Sequence, residues 1–103
     1  MSHNIRFQEV AINQTAAVIV SGNDCAKLQF LLVRRVTGTL VETVTVISNG
    51  VTLFDIKATA GYDTIYCFYG IDTYGLKIST SAQAHAWVGV YAEANKGVHP
   101  DRV

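Results

Sequence analysis

Leu40-Val41-Glu42-Thr43-Val44-Thr45-Val46-Ile47-Ser48-Asn49-Gly50-Val51-Thr52-Leu53-Phe54-Asp55-Ile56-Lys57 sets two runs rich in β-branched residues on either side of an Asn-Gly pair. Valine, isoleucine and threonine are stiff at χ1 and fit a pleated surface better than a helix. Asn-Gly readily adopts the two left-handed conformations of a tight hairpin turn. The stretch therefore predicts two antiparallel strands joined by a two-residue loop at Asn49-Gly50. In the second strand Thr52, Phe54 and Ile56 share one face, while Val51, Leu53, Asp55 and Lys57 share the other.

The same grammar extends in both directions. Residues 5–12 place Ile5 and Phe7 on one face before Gln8-Glu9 shifts the pattern, which suggests a bulge or an arm that leaves the body. Residues 15–21 form a short apolar run closed by the turn signal Ser21-Gly22-Asn23-Asp24, and read as a buried strand. Residues 27–36 hold the stretch Leu28 to Val33, broken only by Gln29, which suits a strand covered on both faces better than a helix. Thr37-Gly38-Thr39 then turns the chain into the hairpin. Beyond the hairpin, Ala60-Gly61-Tyr62-Asp63 is a loop and residues 64–69 are an apolar strand ended by Gly70. Residues 74–80 and 84–93, joined by Ser81-Ala82-Gln83, are expected to pair as a second hairpin. In the last strand Ala84, Ala86, Val88 and Val90 face one way, and His85, Trp87, Gly89 and Tyr91 the other.

About eight short strands with regular turn signals predict an all-β fold: a single-domain antiparallel β-sandwich of Greek-key or jelly-roll type. The domain spans 1–103, with 1–13 as an N-terminal arm or strand and 94–103 as a polar C-terminal tail. Residues 5–12 and 95–103 are candidates for arms that reach a neighbour.

Composition narrows the function. Of the 103 residues 50% are hydrophobic and only 16% charged, an apolar balance for so small a domain, which favours an oligomer or docked subunit. Eight basic residues offset eight acidic ones, so the field that draws proteins to nucleic acid or to an anionic membrane is missing. Strand alternation sends the one basic pair, Arg34-Arg35, to opposite faces. No run has the length of a signal peptide or a membrane helix, so synthesis in the cytoplasm without secretion is expected. Under that expectation the sequon Asn13-Gln14-Thr15 is a chance match. Cys25 and Cys67 lack metal or redox spacing and are expected as buried free thiols.

Chemistry-bearing residues do not converge. His3, His85 and His99 are scattered without ligand spacing. Asp55, Asp63 and Asp72 lack the dense pattern of a calcium loop and read as polar hairpin ends. Ser79 or Ser81 with His85 lacks an orienting third group, and no glycine cluster precedes a helix to cradle phosphate. Neither an enzyme nor a cofactor, metal or small-molecule substrate is expected. Aromatics instead concentrate late, at Tyr62, Tyr66, Phe68, Tyr69, Tyr74, Trp87 and Tyr91. Tyr66 and Phe68 lie on the face opposite Ile65, Cys67 and Tyr69, so one core cannot bury them all. Ile5, Phe7, Tyr66, Phe68, Tyr74, Trp87 and Tyr91 are the interface candidates, with a subunit contact favoured over a sugar.

Val51-Thr52-Leu53-Phe54-Asp55, Gly75-Leu76-Lys77-Ile78-Ser79-Thr80-Ser81 and the strand from Ala84 to Tyr91 together resemble small virion structural proteins of tailed bacteriophages. Their pattern is a V-T-L-Y-D strand, a glycine-leucine strand ending in threonine and serine, and a final strand ending in tyrosine. This chain has Phe54 in place of the tyrosine and Ile56-Lys57 in place of a glycine-rich turn. The resemblance implies a capsid decoration (cement) protein, a homotrimer on the outside of the head shell with the major capsid protein as partner, located at the virion surface. Two alternatives remain open: a tail-tip or fibre-associated glycan-binding module, and a cytosolic carbohydrate-binding accessory domain.

Overall fold

A computed structural model describes residues 5–22, 24–35, 42–58 and 63–92. Eight strands occupy them: β1 (Ile5–Val10), β2 (Ala17–Val18), β3 (Cys25–Arg35), β4 (Glu42–Ser48), β5 (Val51–Ala58), β6 (Asp63–Tyr74), β7 (Lys77–Thr80) and β8 (Ala84–Ala92). The tail expected over 94–103, the turn at 37–39 and the loop containing Tyr62 lie outside the described residues.

Asn49 and Gly50 have φ of 52° and 74°, and Ser48 faces Val51 across the turn, so this is the two-residue hairpin that Asn-Gly predicts. It is also the tip of a much longer one. Pairing runs outward from it, β4 with β5, β3 with β6, β2 with β7 and β1 with β8, all antiparallel. The four-strand-long hairpin folds over because β3 also pairs with β8, and β4 with β7. The result is two four-stranded sheets, β1-β8-β3-β6 and β2-β7-β4-β5. This is the strand order of a jelly roll, the second of the two expected sandwich types.

The inner faces follow the alternation. Ala84, Ala86, Val88 and Val90 of β8 are fully buried, as are Leu28, Leu31 and Val33 of β3, and Val44, Val46 and Ile78 meet them from the second sheet. A bulge between Leu28 and Phe30 moves the buried set of β3 from the even to the odd positions, which brings Leu31 and Val33 inward. Each of these large aliphatic groups contributes about 1.5–3 kcal/mol by leaving water.

Four expectations are corrected. β7 and β8 do not pair, because β8 has β1 and β3 on its two edges and β7 has β2 and β4, which leaves neither an edge for the other. Residues 81–83 instead carry the chain between sheets. The buried carboxylate of Glu42 fixes that crossing by accepting the Ser81 hydroxyl at 2.8 Å and the Gln83 amide at 2.7 Å. Second, β2 is only two residues long: Val18 is exposed, whereas Ile19 and Val20 enter the core as a bend. Third, β6 continues past Gly70 through an irregularity at residues 68–70. Fourth, of the readings given to the N-terminal segment, residues 5–10 take the strand and neither the bulge nor the arm, paired along their whole length with β8 without a register shift. Arg6 Nη2 fastens this strand to the second sheet by donating to the Ile19 carbonyl at 2.6 Å.

A candidate interaction face

The outward side of the β1-β8-β3-β6 sheet is built in cross-strand rows. Registers of the three ladders align Phe7, Gly89, Phe30 and Cys67 in one row, and Glu9, Trp87, Leu32 and Ile65 in the next. Ile5, Tyr91, Lys27 and Asp72 form the row at one end, and His85, Arg34 and Asp63 the row at the other. The two middle rows are an apolar band apart from Glu9, which stands at the β1 edge. Phe7 is 65% exposed and Ile65 60% exposed, values that a buried core position never has. The Phe7 and Phe30 rings meet at a centroid distance of 5.3 Å with a 42° tilt.

Gly89 makes this packing possible. The Phe30 ring lies across its Cα, and a Cβ built there would come within 2.6 Å of the ring. Glycine normally weakens a strand interior, so its place at the centre of the face reflects the room the ring needs.

Polar groups at the two ends are committed to one another. Lys27 pairs with Asp72 at the first end. At the other, Arg34 Nε and Nη2 donate to the two oxygens of Asp63 at 2.6 and 2.7 Å, a bidentate fork. That hydrogen bonding holds the Asp63 carboxyl below its ordinary range, with desolvation opposing it and the charge of the guanidinium adding to it. The same pairing raises Arg34. Arg34 also lies over the Trp87 ring at 4.9 Å, and His85 stacks on Trp87 at 4.1 Å while its Nε2 sits 2.6 Å from Glu9 Oε2. Trp87 is thus half-covered by its own neighbours.

The second sheet presents a different exterior. Thr43, Thr45, Ile47, Asp55, Lys57, Lys77 and Ser79 alternate with its buried residues, and Thr45 Oγ1 donates to Asp55 at 2.6 Å. Its exposed Val18, Val51 and Leu53 sit on β2 and β5, the opposite edges of that sheet.

The sequence-derived candidates separate into two groups. Ile5, Phe7, Trp87 and Tyr91 do lie together on the apolar face. Tyr66 and Phe68 do not: they point inward, pack against the core, and Phe68 stacks on Phe54 at 5.1 Å. Tyr74 is half-buried where the roll closes on its hairpin tip, its amide donating to Ser48 Oγ and its carbonyl accepting from Asn49. The outward residues of β6 are Ile65 and Cys67, with Tyr69 91% exposed at the irregularity in a left-handed conformation, φ 54°. Cys25 is buried as expected, whereas Cys67 is exposed because it shares the phase of Ile65. Sequence reasoning also passed over Phe30 and Leu32; the clue was the doubly apolar run Leu28 to Val33, read there as covered on both faces.

Among the described residues no group of three or more His, Cys, Asp or Glu side chains could hold a metal ion, and no helix is long and apolar enough to cross a membrane. No protein-family model matches the chain, and no curated protein matches it. Among solved structures it is similar to a chain from Bacillus endospore appendages, described as "a novel family of disulfide-linked pili", with 21% identity, a TM-score of 0.45, and 91% of this chain and 96% of that one covered. At that overlap and identity the likeness assigns no function.

Proposed function

We propose that this chain is a non-enzymatic structural subunit that works by adhesion through the outer face of the β1-β8-β3-β6 sheet. The observation that carries the reading is the difference between the two exteriors: the second sheet mixes threonine, serine, lysine and aspartate with Ile47 and the edge residues Val18, Val51 and Leu53, whereas the first gathers Phe7, Phe30, Trp87, Leu32 and Ile65 into one band between two rows that carry ion pairs. An apolar centre with a polar rim is the anatomy of an interface. Contiguous apolar surface of this kind marks sites that are covered in use.

The form of the assembly follows from the sequence resemblance. The chain is proposed as a decoration protein that binds the outside of a tailed-phage head as an oligomer, with the major capsid protein as partner. A subunit that binds only the assembled shell stabilises it by linkage, about 2.7 kcal/mol per site at a concentration a hundredfold above the dissociation constant. Many copies then act together against internal pressure.

The experiment is mass spectrometry of purified particles, followed by a heat-release assay on particles made without the protein. The expected result is many copies per particle, and release at a lower temperature in their absence. Particles free of the protein would overturn the capsid reading, and glycan-array binding abolished by Trp87→Ala would replace it with the fibre-module reading.

A further inference from the structure

Resting on that adhesive reading, the pattern of the face names one of its occupants. We propose that the face is covered by a second copy of this chain, laid sheet on sheet about a twofold axis that runs parallel to the strands, between β8 and β3.

Symmetry is the first argument. A threefold ring needs two different patches that fit each other, whereas a twofold needs one patch that fits itself. Among the described residues the broadest outward apolar patch is the one on this face; on the second sheet Val18 stands at one edge and Ile47, Val51 and Leu53 group toward the other, with Lys77 between them. A twofold contact therefore takes the place of the trimer implied by the family resemblance.

Charge selects the direction of the axis. Lys27 and Arg34 stand at opposite ends of β3, and Asp72 and Asp63 stand opposite them on β6. An in-plane axis perpendicular to the strands would lay one end row on the other, placing Lys27 on the partner subunit's Arg34 and Asp72 on the partner subunit's Asp63. Like charges brought together at an interface oppose association. An axis parallel to the strands lays each row on its own copy, reversed. Trp87 then covers the partner subunit's Leu32, Tyr91 meets the partner subunit's Lys27, and Phe7 falls on the partner subunit's Cys67, while at the rim Glu9 reaches the partner subunit's Ile65, Ile5 the partner subunit's Asp72 and Arg34 the partner subunit's His85.

Area agrees. Three strands about 26 Å long over the face and the six-residue β1 at about 20 Å, each about 4.8 Å wide, give roughly 950 Å² for two subunits, at the lower edge of specific interfaces. Centring the axis between β8 and β3 overlaps all four strands.

The test is a disulfide that one chain cannot form within itself and that closes as a dimer in this geometry, whereas edge-to-edge pairing of β1 with a neighbour's β6 would give a ladder of larger species. Within one chain Phe7 and Cys67 are separated by β8 and β3, about 14 Å, twice the reach of a disulfide. Phe7→Cys under mild oxidation with copper-phenanthroline is expected to give a covalent dimer on a non-reducing gel, absent from the wild type and from Phe7→Cys/Cys67→Ser. In sedimentation equilibrium of the unoxidised protein, Ile65→Arg is expected to weaken the dimer at least about tenfold, and Val51→Arg on the other sheet to leave it unchanged. A wild-type monomer at roughly 100 μM, an absent cross-link, or equal effects of the two arginines would overturn the proposal. A monomer that still binds particles would sink the twofold and leave the structural role standing; a cross-linked dimer absent from particles would do the reverse.

Discussion

Replacing Gly89 with alanine is the sharpest perturbation of the face. The new methyl would stand 2.6, 2.7 and 3.0 Å from three atoms of the Phe30 ring, against an ordinary contact of about 3.5–4.0 Å. Phe30 belongs to a central strand, between β8 and β6, so backbone retreat is obstructed and the ring must swing away. Overpacking of this kind costs about 1–3 kcal/mol, and loss of the Phe7–Phe30 contact adds about 0.5–1.5 kcal/mol. Opposing this, alanine is better than glycine in a strand by about 0.5–1 kcal/mol. The balance is a destabilisation of roughly 1–3 kcal/mol, or about 5–15 °C in Tm for a domain of this size. Thermal unfolding followed by circular dichroism, at one fixed protein concentration so that self-association does not shift the midpoint, measures it. The control is a double-mutant cycle. In a Phe30→Ala background the obstruction is gone, and Gly89→Ala is expected to be stabilising. Gly89→Ala that is neutral or stabilising in the wild-type background, or equally damaging in both, would refute the assignment of Gly89 as the seat of the Phe30 ring.

Two further outcomes concern side chains away from the apolar band. Because the Asp63 carboxyl is held below its ordinary range in the folded chain, the Arg34–Asp63 pair contributes fully above the unfolded-state pKa near 3.9 and loses its contribution as pH falls below about 4. An NMR titration is expected to place the Asp63 midpoint under that of a free aspartate, and Arg34→Gln to return it; an unchanged midpoint in the variant would assign the shift to another cause. Glu42→Ala removes the acceptor shared by the Ser81 hydroxyl and the Gln83 amide at the crossing between sheets. Leaving those donors unmet is expected to cost about 2–4 kcal/mol by urea unfolding, and a loss under about 0.5 kcal/mol would show that the crossing does not depend on it.

Much of the fold was legible locally. Side-chain alternation and short apolar runs bounded by turn signals located all eight strands, and Asn49-Gly50 identified the hairpin tip because its left-handed turn is a property of two adjacent residues. The division of β8 into Ala84, Ala86, Val88 and Val90 against His85, Trp87, Gly89 and Tyr91 was readable from its alternation, and the fold turned the first set inward. The candidate face was half legible: Ile5, Phe7, Trp87 and Tyr91 were recognised, while Phe30, Leu32 and Ile65 were not.

What the chain determined by itself is therefore local: strand periods, turn chemistry, and the surplus of apolar side chains over what a single core accepts. Tertiary structure decided the rest. Alternation in β6 defines two sets of residues but does not say which one meets the core, and the ladder with β3 turned Tyr66 and Phe68 inward, leaving Ile65 and Cys67 to the surface. Nor could the short link at 81–83 reveal that β7 and β8 enter different sheets. That outcome depends on which strands have already taken their edges, and β1, which takes one edge of β8, lies at the other end of the sequence.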